Sequence, residues 1–216
     1  MKLWEFLLEL LYPTRCAFCH QLTQNGETVC PNCRKKLPYT TGAAMEQKFP
    51  HLVGCVSPLY YEGDVRASLL RYKFHGVRAY AGVYGEFLSK SIDECGISCD
   101  IITWVPLSRQ RLRRRGYDQA RLLAEDLARR QQGQCAALLR KRRNNPAQSG
   151  TGSAEKRKAN AAGVYEAIQP ALFAGKRVLL VDDIVTTGAT LSECAKTLRA
   201  AGAAQVYAVT VARHRD

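Results

Sequence analysis

The chain has 216 residues, 46% of them hydrophobic, and 32 Lys and Arg against 19 Asp and Glu give it a formal net charge of +13. That composition excludes a disordered or fibrous polypeptide and suits one full domain with a small appendage. The charge directs attention to anionic partners: phosphates, nucleic acid or a membrane surface. It is also concentrated, because Arg109 to Lys158 holds 15 Lys or Arg and only 4 Asp or Glu.

Lys2 to Tyr12 reads KLWEFLLELLY. Glu5 and Glu9 interrupt its apolar run, so a short packed helix is expected rather than a signal peptide. No stretch approaches the roughly 20 apolar residues of a membrane span, and a cytoplasmic protein is expected. Nine cysteines follow along the chain, four of them as Cys16-x2-Cys19 and Cys30-x2-Cys33, ten residues apart. Each pair can form a turn that presents two thiolates, and two such turns complete a tetrahedral structural Zn²⁺ site. Redox disulfides are the alternative, and His20 can replace one ligand. Arg15, Arg34, Lys35 and Lys36 are placed to offset the negative charge of four thiolates. A unit this small gains folding energy from a metal. Cys55, Cys95, Cys99, Cys135 and Cys194 are expected to be isolated thiols.

The pattern thus divides into residues 1–40, an N-terminal helix and zinc finger, and residues 50–216, an α/β domain, with a polar linker over Tyr39 to Lys48. In the larger unit, Gly54 to Tyr61 is predicted as a strand and Val65 to Phe74 and Ala81 to Ile92 as helices. Asp100 to Leu107, DIITWVPL, is predicted as a buried strand running into a basic loop, SRQRLRRRGYDQA. Apolar spacing at Ala120, Leu123, Ala124 and Leu127 predicts a helix over Tyr117 to Arg130. Ala136 to Leu139 is predicted as a short strand, and Arg140 to Ser153, with Asn-Asn-Pro and Ser-Gly-Thr-Gly-Ser, as a flexible loop. A short helix over Ala154 to Ala162 and a strand from Gly163 follow. Arg177 to Val181 has the near-continuous apolar character of a central parallel strand. Leu191, Cys194, Ala195 and Leu198 make one helix face, stopped by Gly202, and Gln205 to Ala212 is the last strand. Strands alternating with helices predict a doubly wound parallel sheet.

The chemistry concentrates in Val178 to Thr190, VLLVDDIVTTGAT. A buried strand delivers Asp182 and Asp183 to its carboxyl edge, where ligands bind in open α/β sheets. The turn Thr186-Thr187-Gly188-Ala189-Thr190 then opens a helix, whose backbone N–H groups and dipole suit a phosphate. Carboxylates beside a phosphate cradle need a different partner, and a ribose with two vicinal hydroxyls supplies one. A divalent-metal pair or a plain strand end are the other readings of two adjacent acids. Arg113, Arg114 and Arg115 offer bidentate donors for a diphosphate, and Lys73 is a further candidate.

The 13-residue string resembles the binding motif for 5-phosphoribosyl diphosphate (PRPP) of the type I phosphoribosyltransferases. The resemblance implies that Asp182 and Asp183 bind the ribose hydroxyls and that Thr186 to Thr190 bind the 5′-phosphate. It also implies that Mg²⁺ accompanies the diphosphate. The motif order, CxxC…CxxC, a Tyr-Lys-Phe stretch, VPL…RRRGYDQA, Gln148…Arg157…Asn160 and VLLVDDIVTTGAT, is similar to that of the ComF family of bacterial competence proteins. Asp118 stands where that family's pattern carries Asn. The family implies a PRPP-binding domain with a zinc finger, linked to DNA uptake in natural transformation. Single-stranded DNA and a DNA-uptake helicase or other competence protein are the implied partners. Two functions follow: phosphoribosyl transfer to an unidentified acceptor, with Asp182 or Asp183 stabilising developing positive charge, or a non-catalytic PRPP-sensing adaptor that binds DNA or protein.

Overall fold

Two strands with apolar residues on both faces organise the architecture. In a computed structural model, which describes residues 14–23, 26–142 and 163–215, these are β7 (Arg177–Val185) and β8 (Gln205–Arg213). They pair in parallel, and Val178, Leu179, Leu180 and Val181 are fully buried. The full sheet runs β1-β2-β8-β7-β4, with β1 at Glu46–Gln47, β2 at Cys55–Val56 and β4 at Ile101–Trp104. Only β1 is antiparallel to its neighbour.

The strand expected over 54–61 is split. β2 pairs with Ala208 and Val209, and β3 (Leu59–Tyr60) continues in the same register along β8. Pro58 between them has no N–H for the ladder. Ser57 instead places its hydroxyl 2.7 Å from that of Thr210.

Helices cover both faces, as the alternation predicts. α2 (Gly63–Phe74), α3 (Tyr80–Glu94) and α5 (Gln119–Arg130) lie on one side, where Tyr84, Leu88, Leu123 and Leu127 pack with Leu179, Val181 and Val209. α6 (Ala189–Ala200) covers the other, where Leu191, Cys194 and Leu198 pack with Val178, Leu180 and Val206. The cysteine-bearing unit, with α1 at Pro31–Lys36, joins the first of these clusters. Phe18 is fully buried there, edge-on to Phe87 at 5.8 Å and Tyr84 at 6.2 Å. Burying such a ring contributes about 2–3 kcal/mol.

Three local expectations change. The basic stretch is not a loop but a short helix, α4 (Arg109–Arg115), because Ser108 caps it through the Arg111 N–H and Gly116, at φ 74°, ends it. The strand expected over Ala136–Leu139 is shifted: Cys135 bridges Ile102, and β5 (Leu139–Lys141) pairs antiparallel with β6 (Tyr165–Ala167) in a separate hairpin. Arg140 and Lys141, expected in a flexible loop, are therefore strand residues. Finally, β7 continues past Val181 to Val185, so Asp182 and Asp183 lie inside a strand. The helices expected at Lys2–Tyr12 and Ala154–Ala162, and residues 143–153 of the expected loop, lie outside the described residues. Among those described, no helix is long and apolar enough to cross a membrane.

Candidate functional site

Successive side chains of a strand point to opposite faces, so Asp182 and Asp183 do not share one environment. Asp183 follows Leu179 and Val181 towards α2 and α5. It is 5% exposed. Its Oδ1 meets Lys73 Nζ at 2.9 Å, and its Oδ2 accepts from Gln119 Nε2 at 3.1 Å. Lys73 thus joins this site through the carboxylate. Asp182 lies on the other face, towards Lys141 of β5, Tyr165 of β6 and Cys194 of α6, each of which feels its charge. It is half-buried, and its Oδ1 accepts the Asp183 N–H at 2.8 Å. Burial, with the neighbouring Asp183 carboxylate second, pushes Asp182 up from 3.8 to about 8. A carboxyl raised in this way lowers stability progressively as pH climbs from the free value towards the folded one, because the folded state holds the proton more tightly.

Past Val185 the chain turns at Thr186, Thr187 and Gly188 into α6, which begins at Ala189 and Thr190. The two threonines are exposed. Gly188 has φ 67°, and the first turn of the helix has neither a side-chain cap nor an acidic residue. Such a terminus offers N–H donors and the positive end of the helix dipole to an anion. A Cβ at Gly188 would fall 2.2 Å from the Phe49 ring. Gly188→Ala is therefore expected to combine left-handed strain with a clash, for a loss of about 2–3 kcal/mol. Urea denaturation measures it. Adding Phe49→Ala removes the clash and leaves the strain, so only part of the loss should return.

Cationic side chains surround the pair unequally. Of the predicted Arg triplet, Arg113 and Arg114 are exposed on α4. Arg115 turns inward, its guanidinium 4.9 Å from the Phe74 ring centroid. Burial lowers its pKa, and the Asp183 charge partly offsets that. On the Asp182 side, Lys141 is lowered by burial and by Arg111. Beside it, Arg109, Arg140, Lys141, Arg142 and Glu166 line a pocket of about 320 Å³. Glu166 is bound there by Arg140 at 2.7 Å and Arg142 at 2.8 Å.

Sequence reasoning did not single out Gln119, Arg111, Lys141 or Phe49. The signal for Gln119 was present: it occupies the buried face of α5 with Leu123 and Leu127, where an unexplained amide needs a partner. Asp118 stands at the N-cap, accepting from the Arg121 N–H at 3.2 Å and the Leu107 N–H at 3.1 Å. Asn also caps helices well.

The four predicted metal ligands converge. The sulfurs of Cys16, Cys19, Cys30 and Cys33 lie within 4.8 Å of one another, and Cys19 Sγ is 3.8 Å from Cys30 Sγ. Four sulfurs bound tetrahedrally at about 2.3 Å would stand about 3.8 Å apart, so the donor set fits Zn²⁺. All four thiols are free, and His20 is not in the group. Of the predicted compensating cations, Arg34 is paired with Glu86 at 3.0 Å, and Arg15 donates to the His20 carbonyl.

Comparison with known proteins agrees with both parts. The phosphoribosyl transferase domain family matches residues 117–216, and the double zinc ribbon domain family matches residues 7–44. The DNA utilization protein YhgH of Escherichia coli (strain K12) is 30% identical over 201 residues, which cover 88% of this chain and 86% of that protein. Competence protein ComFC of Streptococcus pneumoniae is 28% identical, covering 92% and 87%. Competence protein F of Haemophilus influenzae is 26% identical, covering 92% and 96%.

Proposed function

The chain belongs to the ComF family, and from that premise we propose that it is a PRPP-binding protein of DNA uptake whose pentose site is built on Asp182 and Asp183. The observation that carries the reading is the junction of β7 and α6: paired acids, then an uncapped left-handed turn at the start of a helix. The 5′-phosphate sits on the N–H groups of Thr186 to Thr190, and the ribose hydroxyls donate to the carboxylates. Asp183 is held by Lys73 and Gln119, which leaves Asp182 as the more open acceptor. Arg115, Arg111 and Lys141 are placed to receive the diphosphate, whereas Arg113 and Arg114 face solvent.

Magnesium fits this site only as a companion of the ligand. The carboxylates diverge to two faces, and both oxygens of Asp183 are engaged, so the described residues build no protein cage. A Mg²⁺ arriving with the diphosphate would be held by phosphate oxygens and waters, with Asp182 as the available carboxylate. Zinc, by contrast, is structural: four thiolates close its coordination sphere.

Calorimetric titration with PRPP and Mg²⁺ tests the proposal, and pH makes it specific. Ribose hydroxyls need the ionised form of Asp182, whose pKa is raised to about 8. Affinity is therefore expected to rise between about pH 7 and 8.5 and to lose that slope in Asp182→Asn. Absence of PRPP binding at any pH sinks the reading.

A second activity has its own support. Arg109, Arg113, Arg114, Arg140 and Arg142 are exposed across α4 and the hairpin. Such a face suits a nucleic-acid backbone, in keeping with the DNA-utilization and competence names of the relatives. Single-stranded DNA affinity that falls steeply between low and high salt is expected. Diphosphate release from PRPP in the presence of nucleobases, amines or ammonia would establish transfer rather than sensing.

A further inference from the structure

Three consecutive residues at the end of α2 reach three different parts of the molecule. Arg71 turns to the cysteine unit, donating from Nη2 to the carbonyls of Ala17 at 3.0 Å and Phe18 at 2.5 Å. Tyr72, fully buried, donates its hydroxyl proton to the Gln119 carbonyl at 2.8 Å. Lys73 turns to the sheet edge and holds Asp183. The Gln119 side chain, on the residue that Tyr72 grips, holds the other oxygen of the same carboxylate.

The peptide groups that Arg71 grips are those between Cys16 and Cys19. They form the knuckle between two metal-binding cysteines, and the Cys16 sulfur at its start accepts the Cys30 N–H at 3.4 Å. Two peptide planes of that knuckle therefore carry the guanidinium between the two sulfurs. Each plane is rigid, because rotation about the C–N bond is blocked, so neither end reorients without the other. Ser68, one turn earlier on α2, reinforces the clasp by donating to the Ala17 carbonyl at 2.5 Å. A metal on the four sulfurs fixes the knuckle, the knuckle carbonyls fix the last turn of α2, and that turn fixes the two donors of Asp183.

We propose that Arg71 is a positioning residue that couples the four-cysteine centre to the pentose site, so that ligand affinity at Asp182 and Asp183 depends on the state of the centre. The inference rests on the PRPP-binding reading for its ligand, but the coupling itself is measurable without one.

The experiment uses the full chain with its metal in place. Arg71→Met removes the clasp and keeps all four cysteines. It is expected to retain zinc, to weaken PRPP binding about tenfold (about 1.4 kcal/mol), and to raise hydrogen exchange over residues 70–74 while exchange at β7 and β8 stays as in wild type. Arg71→Lys, which can still donate to both carbonyls, should recover most of the affinity. Zinc retained with unchanged exchange over residues 70–74 overturns the coupling, whether or not PRPP binds. The coupling is equally overturned if PRPP affinity is unchanged, or if Arg71→Lys is as weak as Arg71→Met. Should the wild type bind no PRPP, the ligand assignment fails and exchange alone decides the coupling. Withdrawing the metal from wild type by chelation is the parallel arm, with the same rise over residues 70–74 expected. If chelation unfolds the whole chain, Arg71→Met alone decides the coupling.

Discussion

Asp183→Asn is expected to lower unfolding free energy by about 3 kcal/mol and to abolish PRPP binding. The stability loss comes from Lys73, whose ammonium is mostly buried against Asp183 and would be left without a counter-charge. Removing one partner of such a pair typically costs about 3–5 kcal/mol. The asparagine can still accept from Gln119, which places the expectation at the lower end. The two effects separate in a double-mutant cycle. Lys73→Met combined with Asp183→Asn removes both charges and should recover most of the stability, since a buried pair exchanged for neutral groups is often close to neutral overall. Binding should not recover. Urea denaturation and calorimetric titration on the four proteins read both quantities. A double variant as unstable as Asp183→Asn would show that the ion pair is not the source of the loss.

The second large effect is expected at the metal. Cys33→Ser should abolish stoichiometric zinc and lower the melting temperature by roughly 10 °C or more, taking a loss of about 4 kcal/mol and the usual 2–4 °C per kcal/mol for a chain of this size. The loss is large because a structural zinc site contributes folding energy directly. It extends beyond the ribbon because Phe18 stands in the same core as Tyr84 and Phe87. Cys95→Ser, at an exposed thiol outside the cluster, is the control and should stay within about 0.5 kcal/mol of wild type. A Cys33→Ser protein that keeps its zinc and its melting temperature would remove the centre from the structural account.

The parts legible in the sequence were those in which a local pattern carries the physics. Cys-x2-Cys twice brings four sulfurs together because each pair needs only its own turn. VLLV reads as a central strand because both of its faces are apolar. The same reasoning stopped at Val181, since carboxylates look like a strand end. Pairing with β8 carries the strand on to Val185, and pleating then sends the two acids to different faces. The expectation of a loop over the basic stretch fails for a related reason. Composition makes the stretch basic, but Ser108 and Gly116 make it a helix, and only the helix decides that Arg115 turns in while Arg113 and Arg114 turn out. Gln119 and Lys141 depend on neighbours far along the chain, on α2 and β7 for one and the hairpin for the other. No local pattern encodes those meetings.

The position of β8 has a consequence in time. It lies between β7 on one side and β2 and β3 on the other, so the two halves of the sheet cannot join before it exists. Ser57 meets Thr210 across 153 residues. At about 5–20 residues per second on the ribosome, β2 and β3 wait roughly 8–30 s for their partner. Throughout that interval their pairing edges and the apolar residues Cys55, Val56 and Leu59 stand open. β7 emerges earlier and pairs with β4 alone. The sheet is thus completed by one late insertion, that of β8 between β7 and the edge formed by β2 and β3.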